Sequence, residues 1–473
     1  MNHLYRFRST HALLDGYQEL EAQQIYFSPP DKLNDPLEGF KDIFWRGDSI
    51  VWRNLLRHYL LNLMQATSIS AVMGQEFDPG MCAQLVHQTE DDLPQAPIRS
   101  VYSVACTEFF GHPAPERLIS ALGAQERAVR RDELVFYLRL LHPLATRCVF
   151  SALGDRLVRL EAMEELDALI AGMRQKLDDL LDANARAGDL AEGMFSVSEQ
   201  IMSQLALIHE FHNPVGENRR SWIFINRDFP SNYVVAIERL LYPDWHVACF
   251  VADPTNASMW GAYADSHKGA CLKFRTRNDN QGNPTLDLYR IASWSGGRNG
   301  IVENYAYVPH GFEEVRYTAE FPEVDFFESI ATLPRFKLDG FWFAGQNGES
   351  STTALRMRRE DETWRQEYWR KFTASFSTKS PEWRHEEEHR LILYSHMQRF
   401  DEQESRKLKY RFADLAGIIF GIKTTSEDKL QVMRIIGQKC AAENRRDFEF
   451  YQAYYSNRTK KIELAPLTML KVS

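Results

Sequence analysis

Strand-like segments rich in aromatics stand at both ends of this chain, and residues 45–242 between them carry helical periodicity. Strands must pair to satisfy their backbone groups, so the two ends have to meet across that stretch and the core has to be discontinuous. At the amino end, Tyr5 and Phe7 alternate with Leu4, Arg6 and Arg8, and Ile25–Ser28 repeats the texture. Thr10–Gln24 carries Leu13, Leu14, Tyr17 and Leu20 behind a Ser9 or Thr10 cap, which predicts one short helix and a β-α-β entry. Towards the other end, Trp245–Val251, Ala270–Phe274, Arg390–Tyr394 and Gly417–Ile422 read as strands, the last apolar on both faces and therefore central. Ser258–Ala264 and Glu360–Phe376 predict helices. The Asn-, Gly- and Ser-rich stretch 276–300 predicts an exposed excursion.

Within 45–242 the helical signal is clearest from Asp155 to Asp182, where Leu157, Leu160, Leu166, Leu169, Met173, Leu177 and Leu180 recur at three and four residues. The expected fold class is α+β: a discontinuous mixed β-sheet core from residues 1–44 and 243–473, interrupted by a mostly α-helical insertion, 45–242. Stripes of Met and Leu on such an insertion serve as core or as a seam for a protein partner.

A formal net charge of −9 is too acidic for whole-surface attraction to nucleic acid and leaves only local basic grooves for that purpose. Cysteines at 82, 106, 148, 249, 271 and 440 form no CxxC, so neither a zinc ribbon nor a disulfide framework is written here. Reduced cysteines in a cytoplasm are expected. Met1–Thr10 places two arginines where a secretory signal would begin its apolar run, and the charge-free stretch His58–Gln75 is interrupted by Asn62, Gln65 and Thr67. No membrane association is expected.

The segment with most chemistry is Ser380-Pro381-Glu382-Trp383-Arg384-His385-Glu386-Glu387-Glu388-His389-Arg390. Pro381 stops any preceding helix and an apolar run follows, so 386–390 should enter a strand with Glu386 and Glu388 on one face, about 6.6 Å apart, and Arg390 next in line. Two carboxylates so placed repel unless a cation, a proton or a substrate lies between them. The bland alternative is a solvated strand entry with Arg390 as counter-ion. His385-Glu386-x-x-His389 matches a zinc-protease spacing, but that motif needs a helix to bring both imidazoles to one face, and no metal is expected. Asn34-Asp35-Pro36-Leu37-Glu38 reads as an Asx turn with Glu38 capping or paired to a base; its functional reading puts Asp35 and Glu38 at a pocket mouth. Trp260, Tyr263 and His267 fall along one helical face, with Trp260 and Tyr263 suited to the core.

The stretches LYRFRS, IYFSPPDKLNDPLEG, VACFVADPTNASMWGAYADSHKGACLKF, KSPEWRHEEEHRLI and LAGIIFGIKTTSED together resemble the uncharacterised bacterial domain of unknown function (DUF) 2971 family. The family pattern of Trp, Glu, Glu and Arg falls on Trp383, Glu386, Glu388 and Arg390. Its layout in turn is similar to a degenerate ADP-ribosyltransferase core. That resemblance implies NAD as substrate, with Arg6 or Arg8 gripping its phosphate or ribose and Tyr26 and Ser28 along the nicotinamide-ribose pocket. Asn34, Asp35, Tyr263 and Arg390 complete the implied cofactor-binding set. Glu388, or else Glu386, becomes the catalytic acid stabilising an oxocarbenium-like state. The implied function is an ADP-ribosyltransferase or NAD glycohydrolase acting as a toxin-like effector of anti-phage defence by abortive infection. Two other classes stand beside it: a metal-dependent nuclease holding magnesium on Asp35, Glu38, Glu386 and Glu388, and a non-catalytic sensor or scaffold whose helical insertion binds another protein.

Overall fold

The computed structural model describes residues 3–124, 127–154, 160–187, 190–212, 220–297, 300–359, 361–395 and 398–468. Residues 155–159 of the expected helix, Glu360, and Arg298–Asn299 of the expected excursion lie outside them. Two compact units divide the chain. The first comprises Met1–Phe40, Asp244–Phe321 and Thr373–Ser473; the second comprises Lys41–Pro243 and Pro322–Phe372. Pro322–Phe372 thus groups with the helical residues, whereas the expected core took in all of 243–473.

The first unit is built on an eight-stranded sheet: β1 (His3–Arg8), β2 (Trp245–Val251), β3 (Ala270–Arg275), β4 (Glu313–Glu314), β5 (Glu388–Tyr394), β6 (Leu415–Phe420), β7 (Glu449–Tyr455) and β8 (Ile462–Pro466). Their spatial order is β4-β5-β2-β1-β3-β6-β7-β8. Neighbours are antiparallel except β6 and β7, which run parallel. A parallel pair needs a long crossover, and the helix Ser426–Ala442, capped by Thr425, provides it. β6 is buried along its whole length, as its two-faced apolar sequence requires.

Alternation along β1 sends Leu4 to one face, with Phe250, Leu272 and Phe274, and Phe7 to the other, with Val251, Cys271 and Trp260. Arg6 and Arg8 share the register of Leu4. The amino-terminal entry has two short helices where one was expected, and its two strands lie in different sheets. Gln24–Tyr26 pairs with Lys407–Tyr410 in a second sheet, after two short helices, Thr10–Leu14 and Glu19–Ala22. The expected excursion is largely a long hairpin, Pro284–Gly297 with Gly300–Gly311. Its root, Thr285–Leu288, is buried, with Leu286 and Leu288 in the apolar core, while Tyr289 is exposed.

The second unit carries the long helices Ser49–Met73, Arg131–Leu153 and Leu190–His212 and a small three-stranded sheet from Asp42–Trp45, Val129–Arg130 and Glu323–Asp325. Among the described residues no helix is long and apolar enough to cross a membrane.

Candidate active site in the first unit

Pro381 opens a short 3-10 helix, Pro381–Glu386, rather than a strand. Glu387 then adopts a left-handed φ of 45°, and β5 starts at Glu388. Glu386 is therefore not on the strand, which corrects the expected register. The left-handed residue nevertheless turns both flanking carboxylates into one buried place, where the Lys379 ammonium donates to Glu386 Oε2 at 2.6 Å and to Glu388 Oε2 at 3.1 Å. The same kink removes the helix that a zinc-protease motif requires. The His385 and His389 imidazoles hydrogen-bond with the backbone oxygens of Glu382 and Glu387, at 3.1 and 3.3 Å, and the His385 ring stacks on Trp383.

Each further member of the cluster is set by its own element. Lys379 belongs to Thr378–Lys379, paired in parallel with Arg316–Tyr317, and the Tyr317 hydroxyl accepts the Glu388 N–H at 2.8 Å. Arg390 lies opposite Cys249 in the β5–β2 ladder. Its Nε and Nη2 donate to Glu388 at 3.1 and 2.9 Å, and its Nη1 donates to Phe376 O at 2.6 Å and to Glu38. Glu38 arrives from the Asn-Asp-Pro loop, where Asp35 Oδ1 accepts the Leu37 N–H at 2.9 Å. Gly39 follows with φ +74°; an added Cβ would stand 2.9 Å from the Trp245 ring, so this turn is restricted to glycine. Helix Ala257–Tyr263 supplies Tyr263, whose hydroxyl donates to Glu386 Oε1 at 2.6 Å. The indole of Trp383 covers the Lys379 ammonium at 5.1 Å.

The side chains of Glu38, Lys379, Glu386, Glu388 and Arg390 are each at most 3% exposed. Three carboxylates against two cations leave one negative charge if all are ionised. Burial alone would raise Glu388, but Arg390 and Lys379 outweigh it and hold that carboxyl down to about 2. Burial raises Glu38 above the ordinary range despite Arg390. Burial and the Glu386 charge push the Tyr263 phenol up, so it stays a donor. Burial and Glu388 likewise raise the Cys249 thiol. Cys249, Tyr263, Tyr317 and Trp383 around the cluster all keep partial exposure.

The expected cofactor-binding residues divide. Tyr263 and Arg390 join Glu386 and Glu388. Arg6 and Arg8 lie on the opposite face of the sheet: Arg6 Nη2 donates to Tyr26 O at 2.7 Å beside the Phe250 ring, and Arg8 is paired with Glu19. Tyr26 stacks on Tyr17 on that side. Ser28 forms a backbone bridge to Val247, Asn34 is exposed, and Asp35 is a buried turn residue. The single pocket expected from the first and second strands plus Glu388 is thus not formed. Glu388 is in register with Val251 and Val251 with Tyr5, so Glu388 shares the face of Tyr5 and Phe7, opposite that of Arg6 and Arg8. His267 is not on the Trp260–Tyr263 face either, because Asp265, Ser266 and His267 all take left-handed φ after the helix ends.

Lys379 and Tyr317 carried no motif. The one signal was a lysine closing Phe376-Ser377-Thr378-Lys379 just before Pro381, a cation at the end of a run otherwise free of charge. No protein-family model matches the chain, and comparison with curated proteins and with solved structures finds no match either.

Proposed function

We propose that the Glu388 cluster is the active site of an NAD-consuming ADP-ribosyltransferase or NAD glycohydrolase. The observation that carries this reading is a buried excess of carboxyl groups over cations around one carboxylate, Glu388, held ionised. Nicotinamide is cationic as bound in NAD, and its departure leaves an oxocarbenium-like ribosyl group. An anion fixed in a dry site stabilises that charge more in the transition state than in water. Glu388 supplies the anion, while Tyr263 and Glu386 orient a ribose or acceptor hydroxyl. The role as an anti-phage effector rests on the family resemblance. Lys379 and Arg390 already stand between the carboxylates where a magnesium ion would have to sit, so the nuclease alternative has less support.

A second reading is favoured by the saturation of the same network. Every cation in it has a partner, so the five charges can tie segments of the first unit together without any ligand. The second unit adds an apolar stripe on helix Leu190–His212, where Met194, Val197, Ile201, Leu205 and Ile208 are all more than half exposed, the kind of surface a sensor or scaffold presents.

Purified protein incubated with NAD, with nicotinamide release followed by chromatography, separates the two. The expected result is turnover that falls roughly a hundredfold or more in Glu388→Gln variants that still melt cooperatively. Intact NAD and no NAD binding in every condition would move the chain to the scaffold class.

A further inference from the structure

The second unit contains a cavity of about 160 Å³ that plays no part in the proposed NAD chemistry. Leu333, Leu338, Phe343 and Ala354, all buried, line its interior, and Met357 and Trp364, half-buried, line its wall. The Trp364 indole N–H is already spent on Glu328 O at 2.7 Å, so the ring offers the cavity only apolar surface. Leu338 and Asp339 come from a five-residue π-helical turn, Leu338–Trp342, closed by the Phe343 N–H on Leu338 O at 2.9 Å. Such turns are rare and gather at functional sites. Among the described residues, the charged side chains lining the cavity are Arg335, Asp339 and Arg358. Both arginines donate to the one Asp339 carboxylate, at 3.3 and 2.8 Å. Among these described residues, two cations face one anion at the rim.

The geometry points to a binding site for a small amphipathic carboxylate, its apolar body in the cavity and its carboxylate on the guanidinium groups. A space of about 150 Å³ lined by aliphatic and aromatic side chains accommodates a benzene ring, which sets the body at about six carbons. Planar guanidinium forks match a carboxylate in two parallel bonds. Asp339 holds those forks in the absence of ligand and competes with it.

Calorimetric titration of the full chain with phenylacetate, toluene and acetate tests the site. Phenylacetate should bind at least tenfold more tightly than toluene, which lacks the charge, or acetate, which lacks the body. The pair Arg335→Met with Arg358→Met should erase the preference for phenylacetate over toluene. Asp339→Asn should tighten phenylacetate by removing the competing acceptor, and Ala354→Trp should fill the space and abolish binding of both ring compounds. If Ala354→Trp fails to fold, the arginine pair decides the matter in the same titration. Equal binding of phenylacetate and toluene, a preference unchanged by loss of both arginines, or no heat from any of the three at millimolar concentration overturns the proposal.

Discussion

Arg390 Nη1 donates to Glu38 Oε1, joining two residues that stand 352 positions apart in the chain. Arg390 is wholly buried and grips Glu388 with its other nitrogens, so this one guanidinium ties the amino-terminal loop to β5. Charges taken out of water are tolerated only when each finds a partner, and removing one partner leaves the rest uncompensated. Arg390→Met should therefore lower the unfolding free energy by about 3–5 kcal/mol. Adding Glu38→Leu should recover more than about 1 kcal/mol of that loss, a non-additivity readable in a double-mutant cycle by urea denaturation. Strict additivity would show that the two side chains do not interact.

His385 and His389 face backbone oxygens and keep solvent contact, so replacing both by alanine should leave NAD turnover within about twofold, as is usual for exposed positions outside a site. Tyr263→Phe removes the donor on Glu386. It should reduce turnover while leaving NAD hydrolysis less affected than transfer to an acceptor, a split measured by nicotinamide release against product incorporation.

Arg6 tests the separation of the two sheet faces. The residue is 4% exposed, its Nε and Nη1 lack hydrogen-bond partners, and burial with Arg8 nearby brings its pKa down to about 10. Replacing such a group by an apolar side chain of similar volume is often neutral or stabilising. Arg6→Met should hold or raise the melting temperature and leave Glu388-dependent turnover unchanged. A selective rise in the KM for NAD would instead place Arg6 in the substrate site.

Two carboxyls impose opposite pH slopes. Glu388, held at about 2 against an ordinary 4.5, contributes stability that is present above 4.5 and lost as pH falls towards 2. Asp325 in the second unit is raised from 3.8 to about 7 by burial and the nearby Glu328, against Arg46 at 3.6 Å. Its contribution is complete below 3.8 and disappears as pH climbs through 7. Asp325→Asn keeps an oxygen for the Phe327 N–H that Asp325 now caps at 3.1 Å, so it should flatten the loss of melting temperature between pH 5 and pH 8. An unchanged profile would remove Asp325 from the pH response.

Local pattern in the sequence determined most elements. The alternation of Tyr5 and Phe7 marks β1, the unbroken apolar run marks β6, and the Asn34–Glu38 loop reads as the Asx turn that Asp35 forms. It also singled out Glu386, Glu388 and Arg390, because three charges beside a proline and an apolar strand are anomalous in themselves. Only the tertiary structure decided how they meet. The left-handed conformation of Glu387 is not written in its residue type, and it alone lets Glu386 reach the interior from outside the strand. Lys379 and Glu38 reach the cluster through a two-residue parallel pairing and a distant loop, contacts that follow from chain closure and leave no periodic trace. The sheet face of Arg6 and Arg8 was legible in the period of two along β1, but which ligand that face meets depends on strands paired more than two hundred residues away.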